Sequence, residues 1–218
     1  MSKKNILSVG FNFPGGVSDY SNFDNDISLL DADLIVFNPD ISKFLEYSLD
    51  KYQGKPSLTE SRSFELKERL NHWRKELVEA YNSGKTIFFF LEELQEVFID
   101  TGNRNYSGTG RNQKKTIIVE KTNNYASLPF DITIRNARGS KIILNKETNI
   151  LHTYWDKYSR ITSYKVIIED KVSKRLLTTK DGKYVLGALL TNNTSKGNFV
   201  LLPPLDIDND KFFKEKIS

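Results

Sequence analysis

The chain contains no cysteine among its 218 residues. Disulfide bonds, catalytic thiolates and cysteine-ligated zinc are therefore excluded. Histidine is nearly as scarce, since His72 and His152 are the 2 copies. Neither histidine stands at a recognisable motif spacing from a serine or a carboxylate, so acid–base and nucleophilic catalysis have few candidate residues.

Long apolar runs are also missing. The sequence has no stretch of about 18 consecutive apolar residues, the length expected of a membrane-spanning helix. Residues 1–4 lead directly into a predicted strand rather than into the apolar segment of a signal peptide. We therefore expect a cytoplasmic protein with no membrane contact. A hydrophobic fraction of 38% is sufficient for a folded core.

Three short apolar runs are the clearest structural signal. They are residues 5–10 (NILSVG), 33–39 (DLIVFNP) and 86–91 (TIFFFL). Their apolar character is continuous rather than alternating, which is typical of strands buried on both faces of a parallel sheet. In open α/β folds the carboxyl edge of such a sheet is where ligands bind.

A long amphipathic helix is predicted over residues 63–82, because apolar side chains recur there at steps of three and four. These side chains are Leu66, Leu70, Trp73 and Leu77. Ser61 or Ser63 is expected to cap its start, and Gly84 fits the position just past its end. A helix followed at once by a buried strand is the βαβ rhythm of α/β proteins.

Shorter helices are predicted at residues 24–30, 41–49 and 210–217, with a polar connector at residues 50–59. From residue 97 the pattern changes to short strands separated by Gly and Asn turns. The predicted strands are residues 97–100, 116–120, 132–134, 141–144, 164–169, 184–190 and 198–202.

The fold class that follows is α/β, with a Rossmann-like, mostly parallel sheet and an appended β-rich region. Three segments are expected. Residues 1–96 form the Rossmann-like half, and residues 97–180 form a β-rich insertion or extension. Residues 181–218 supply the strands that close the sheet and a C-terminal helix.

The order of elements resembles a known family. An Asp-Ala-Asp strand (residues 31–37), a long amphipathic helix and a Ser-Gly-Lys turn before a strand (residues 83–91) are similar to the class I glutamine-amidotransferase-like fold. Residues 181–190 and the GNFVLLPP stretch of residues 197–204 resemble the closing strands of its trehalose-utilisation-type members. Catalytic members use a cysteine nucleophile with a downstream histidine. Because this chain lacks cysteine, the resemblance implies a non-hydrolytic member that binds a ligand or partner.

Charge is unevenly distributed along the chain, whose net charge is +4. Residues 1–60 carry 5 basic and 9 acidic side chains, whereas the remainder carries 27 basic and 19 acidic ones. Residues 104–146 alone hold 9 basic side chains against Glu120 and Asp131. A local basic surface attracts phosphates and acidic partners, although a solvated face that maintains solubility is an alternative interpretation.

The segment from Gly108 to Thr116 invites comparison with a phosphate-binding loop. A true P-loop needs a glycine directly before its Lys-Ser/Thr pair, but here Gln113 precedes two lysines and a strand replaces the expected helix. Two interpretations of this segment remain. It is either a loop that connects two strands or a basic loop that binds phosphate or a nucleic-acid backbone. The candidate phosphate or nucleic-acid ligands are Arg104, Arg111, Lys114, Lys115, Arg138 and Lys141.

The carboxyl edge of the predicted sheet supplies a second set of candidates. Gly10, Asn12 and Asn38 follow the first two apolar runs and are expected to contact a small ligand, with a structural turn as the alternative. Glu92 and Glu93 follow the third run. They are either residues of a helix start or the carboxylates of a metal-dependent hydrolase.

Aromatic and basic side chains alternate in a third region, where they can stack on bases and hold phosphates or instead belong to half-buried strands. They are Tyr154, Trp155, Lys157, Tyr158, Arg160, Tyr164 and Lys165.

These observations favour a non-catalytic binding or regulatory module that engages a phosphate-bearing ligand, a nucleic acid or an acidic protein partner. Such a module would suit a bacterial multi-protein system, for example one in defence. The alternative is the metal-dependent hydrolase that uses Glu92 or Glu93. No cofactor and no metal site are expected, and an oligomer is compatible with the sequence.

Overall fold

The computed structural model describes residues 5–12, 18–52, 55–139, 142–144, 164–169, 174–191 and 196–204. These residues contain one α-helix, α1 (Glu60–Asn82), together with short 3-10 turns. Their strands are β1 (Ile6–Val9), β2 (Asp19–Ser21), β3 (Leu34–Phe37), β4 (Tyr47–Tyr52), β5 (Lys55–Leu58), β6 (Thr86–Phe90), β7 (Glu96–Ser107), β8 (Lys114–Asn123), β9 (Ile134–Gly139), β10 (Ile142–Leu144), β11 (Tyr164–Ile168), β12 (Lys174–Thr179), β13 (Val185–Leu190) and β14 (Asn198–Leu202).

The fold is α/β, with a mixed central sheet that is largely parallel at its middle. Strands β14, β6, β3, β1 and β2 lie side by side in that order, and every neighbouring pair among them is parallel. Strand β13 pairs with β14 in the antiparallel sense and continues into β12 and β10, while β11 and β9 branch from β13. The three apolar runs are therefore confirmed as adjacent parallel strands.

Both faces of the central strands are buried, which explains why their sequences do not alternate. Side chains such as Ile35 and Phe89 face the core that packs on α1. Their neighbours Val36 and Phe88 point to a second core on the opposite face. The helix supplies Trp73, which is fully buried, to the first of these cores.

Helix α1 confirms the predicted amphipathic stripe and begins three residues earlier than predicted. The cap is Thr59, whose side-chain oxygen accepts from the Arg62 amide at 3.4 Å, so the prediction of Ser61 or Ser63 is wrong. Ser63 is instead buried and accepts from the Asp100 amide at 2.9 Å, which ties the helix to β7. Gly84 lies just past the end with a φ of 87°, as predicted.

A smaller sheet, in the order β4-β5-β7-β8, packs on the same helix.

The short helices predicted at residues 24–30 and 41–49 are wrong. Residues 24–30 consist of turns and irregular backbone, and the buried Leu29 donates its amide to the Glu76 carboxylate at 2.7 Å. Residues 41–49 contain one 3-10 turn and then enter β4, and the predicted polar connector contains β5. Helices this short have little stability of their own, so tertiary contacts decide their conformation.

Several predictions fall outside the described residues. They are the C-terminal helix at residues 210–217, Lys141, and the aromatic–basic cluster apart from Tyr164 and Lys165. No helix in the described part of the chain is long and apolar enough to cross a membrane.

Candidate functional site

The end of the β7–β8 hairpin is exposed to solvent. Every residue from 105 to 116 is exposed, and we call this segment the arm. Its two strands remain paired almost to the tip, where Tyr106 lies opposite Lys115 and Ser107 lies opposite Lys114. The arm is therefore an ordered two-stranded ribbon with both faces open to solvent.

A bulge separates the arm from the buried base of the hairpin. Asp100 pairs with Val119 and the next matched pair is Arg104 with Ile117, so β7 has three residues where β8 has one. Gly102 occupies the bulge with a φ of 80°, a conformation that favours glycine. Bulges of this kind bend a ribbon and increase its twist.

An ion pair closes the bulge. The Arg104 guanidinium donates to the two Asp100 carboxylate oxygens at 2.6 and 2.9 Å and also reaches Glu60 at 3.2 Å. The hydrogen bond to Asp100 raises the pKa of Arg104 above its usual value. The side chains of Asp100 and Arg104 are only 5% and 14% exposed. Arg104 is thus engaged within the protein rather than presented to a ligand.

Loss of this ion pair is expected to loosen the arm. In Asp100→Ala, Arg104 loses its bidentate partner and the Gly102 amide loses its acceptor at 2.8 Å. Amide hydrogen exchange should then accelerate about tenfold in the paired residues of the arm, as expected for the loss of charge-assisted hydrogen bonds, and stay unchanged in β6. Glu60→Gln, which removes only the exposed partner, is the matched control. Equal exchange in all three proteins would contradict a role for the pair.

The tip of the arm has a defined conformation. Gly108 adopts a φ of 83°, and a Cβ there would lie 2.5 Å from the Asn112 carbonyl oxygen. Residues Gly110–Asn112 form a 3-10 turn in which the Gln113 amide donates to the Gly110 carbonyl at 3.2 Å. The side chains of Arg111, Asn112 and Gln113 are therefore presented from a structured turn.

Positive charge is concentrated at this tip. Three of the six predicted phosphate ligands lie on the arm and are exposed, namely Arg111, Lys114 and Lys115. The sequence has no acidic residue between Asp100 and Glu120, and none of the three cations forms an ion pair with a described residue. Lys115 lines a cleft that also contains Glu60 and Asp100, whereas the positive charges of Arg111 and Lys114 create a local field that attracts anions.

The other predicted phosphate ligands do not join this cluster. Arg104 is held at the base of the arm, as described above. Arg138 lies on β9 at the carboxyl edge of the central sheet, where its guanidinium contacts the Glu93 carboxylate at 2.8 Å. Lys141 lies outside the described residues.

A polar cleft of about 300 Å³ lies at the carboxyl edge of the central sheet. Its walls include Asn38 from the end of β3 together with Glu92 and Glu93 from the end of β6. Each carboxylate contacts a cation, since Lys165 lies 2.5 Å from Glu92 and Arg138 contacts Glu93. Among the described residues no three His, Asp or Glu side chains converge in a way that could hold a metal ion.

Backbone-binding side chains hold the loop that carries these carboxylates, and sequence reasoning missed them. The Asn136 side chain accepts a hydrogen bond from the Leu94 amide at 2.8 Å and donates one to the Leu94 carbonyl at 3.1 Å. Asn124 accepts from the Gln95 amide at 3.0 Å. The buried Tyr125 hydroxyl donates to the Glu92 carbonyl, and burial is the main cause that raises its pKa. Isolated Asn and Tyr residues carry no sequence signal for such bonds.

The predicted ligand contacts of the first two runs are only partly brought together. Gly10 and Asn38 touch, because a Cβ on Gly10 would lie 2.3 Å from the Asn38 carbonyl oxygen. The Gly10 amide is occupied by the Ser21 carbonyl at 2.9 Å. The Asn38 Oδ1 atom is buried and has no hydrogen-bond partner among the described residues. Asn12 is exposed and does not line the cleft.

Comparisons of the chain with protein-family models, with curated proteins and with solved structures find no match. The residues of the chain and their geometry are therefore the basis for assigning a function.

Proposed function

We propose that the protein is a non-catalytic nucleic-acid-binding module that engages the phosphate backbone through its arm. The observation that supports this most directly is the exposure of Arg111, Lys114 and Lys115 on a ribbon whose own residues include no acidic side chain. In this proposal the central strands are a Rossmann-like scaffold, and the hairpin belongs to the appended β-rich region that the scaffold presents.

Phosphate binding by three cations makes a quantitative prediction. Each phosphate neutralised releases condensed counterions, and the slope of log affinity against log salt is about −0.9 per contact for duplex DNA. Three contacts give a slope of about −2.7, so affinity should fall about 40-fold between 50 and 200 mM salt. A ligand held by uncharged hydrogen bonds would show little of this dependence.

Charge reversal at the tip tests the proposal. We expect R111E/K114E/K115E to lose binding to a fluorescent 20-base-pair duplex, measured by anisotropy at several salt concentrations, because repulsion replaces all three contacts. The matched control is K75E/K174E/K180E, which makes the same change in net charge at exposed lysines away from the arm. It should retain most of the affinity and the salt slope.

Two outcomes would contradict the proposal. One is unchanged affinity and slope in the arm variant, which would place the binding surface elsewhere. The other is the absence of binding by the unmodified protein to single-stranded and duplex nucleic acids at 50 mM salt. An acidic protein partner would then be the remaining candidate for the basic tip.

A further inference from the structure

We infer that the arm enters the major groove of a B-form DNA duplex tip first, and that Arg111, Asn112 and Gln113 contact base edges there. The inference rests on the proposed function and specifies the substrate class. It follows from the dimensions of the arm, the placement of its charges and the chemistry of its tip.

The dimensions of the arm suit this groove. Two paired strands lie about 4.8 Å apart, and a sheet with its side chains is about 10 Å thick. The major groove of B-form DNA is about 12 Å wide and 8.5 Å deep. The exposed part of β7, residues 105–107, spans roughly 10 Å at about 3.3 Å per residue, before the turn at the tip. The arm is thus slender enough to enter the groove and long enough to reach its floor.

The cations lie on both faces of the arm. Lys115 shares one face with Tyr106, and Lys114 shares the opposite face with Ser107, because paired residues lie on the same face and successive residues alternate. The two walls of the major groove are lined by the phosphates of the two strands. A ribbon inserted tip first therefore directs one lysine toward each wall.

The tip carries side chains that recognise bases. Arginine binds the O6 and N7 atoms of guanine with two hydrogen bonds, and asparagine or glutamine binds the N6 and N7 atoms of adenine in the same way. Arg111, Asn112 and Gln113 are consecutive and exposed in the tip turn. They lie in the turn at the end of the arm, where an inserted arm meets the groove floor.

Other nucleic acids fit the arm less well. The major groove of A-form RNA is deep and too narrow for side chains to read. Proteins that bind single strands use several aromatic side chains as stacking platforms. The arm has one aromatic residue, Tyr106.

Competition among nucleic acids tests the inference. Binding of the full chain to duplex DNA, duplex RNA and single-stranded DNA of the same length and base order should be compared at 50 mM salt. We expect duplex DNA to bind at least tenfold more tightly than the other two. Equal or tighter binding of duplex RNA or of the single strand would overturn the inference and leave the proposed function standing. Failure of all three to bind would overturn both.

Methylation of guanine N7 separates groove insertion from contact with the outer phosphates. Duplexes selected by the protein from a random 20-base-pair pool should lose at least tenfold in affinity when their guanines are methylated at N7, because the methyl group protrudes into the major groove and removes the N7 acceptor. Binding that is insensitive to this methylation would overturn the inference.

Tip variants test the three base-contacting residues. Arg111→Lys keeps the charge but loses the bidentate hydrogen-bond donor, and N112A/Q113A keeps every charge. We expect both variants to retain the salt slope and to lose the sequence enrichment that the unmodified protein should produce from the random pool. The control is Asn71→Ala, at an exposed position on α1. Unchanged enrichment in both tip variants would contradict their assigned role.

Discussion

Replacing Trp73 with alanine should lower the free energy of unfolding by about 3–5 kcal/mol, the usual cost of truncating a large buried aromatic side chain. Trp73 is fully buried, and its ring centroid lies 5.4 Å from that of Phe37 and 6.0 Å from that of Phe23. Its indole nitrogen also donates to the Phe23 carbonyl at 2.7 Å. Truncation therefore removes a junction between the helix, β3 and the preceding loop, and leaves a buried carbonyl unpaired.

Urea unfolding followed by far-ultraviolet circular dichroism measures this effect. The midpoint should fall while the m-value stays constant, because the surface exposed on unfolding hardly changes. Phe64→Ala is the matched control, since Phe64 lies on the same helix and is 62% exposed. It should change the free energy of unfolding by less than about 0.5 kcal/mol. Equal losses in the two variants would show that the helix face has been assigned incorrectly.

Replacing Gly10 with alanine is the second substitution with a large expected effect. Gly10 has a φ of 70°, and its missing Cβ would lie 2.3 Å from the Asn38 carbonyl oxygen. The left-handed conformation costs a non-glycine residue about 1–2 kcal/mol. Pushing the two strand ends apart adds about 1–3 kcal/mol, by comparison with overpacked cores. We therefore expect a total loss of about 2–5 kcal/mol.

Gly182→Ala separates the two causes. Gly182 has a φ of 69°, nearly the same as Gly10, but nothing lies within 4 Å of the position that its Cβ would take. It should show only the conformational cost. The difference in the free energy of unfolding between the two variants then measures the close approach of β1 and β3. No difference would mean that the loop after β3 can move away from Gly10 without cost.

The central sheet and its helix could be predicted because their signals are local and repeated. Strands β1, β3 and β6 are continuous apolar runs, and α1 places an apolar residue on the same face at every turn. Burial on both faces leaves few alternatives for such segments. The predictions of short helices at residues 24–30 and 41–49 were wrong because tertiary contacts outweigh weak local preferences, as in the hydrogen bond between Leu29 and Glu76.

The basic segment was recognisable from composition, but its individual residues were not distinguishable. Arg104 and Arg111 stand seven residues apart in the same acid-free stretch, yet one is held by Asp100 and the other is exposed at the tip. The difference arises from the bulge, which places Arg104 against Asp100 across residues 101–103. A bulge depends on how two strands pair, and neither strand encodes that pairing alone.

Glu92 and Glu93 show the same limit at the edge of the sheet. Their position after a buried strand was correctly predicted, but their partners Lys165 and Arg138 come from β11 and β9, far along the chain. The sequence by itself determined the buried strands, the helix that covers them and a basic segment free of acids, because each depends on neighbouring residues. Only the tertiary structure decided which charges pair and which stay exposed on the arm, because that outcome depends on distances between residues remote in sequence.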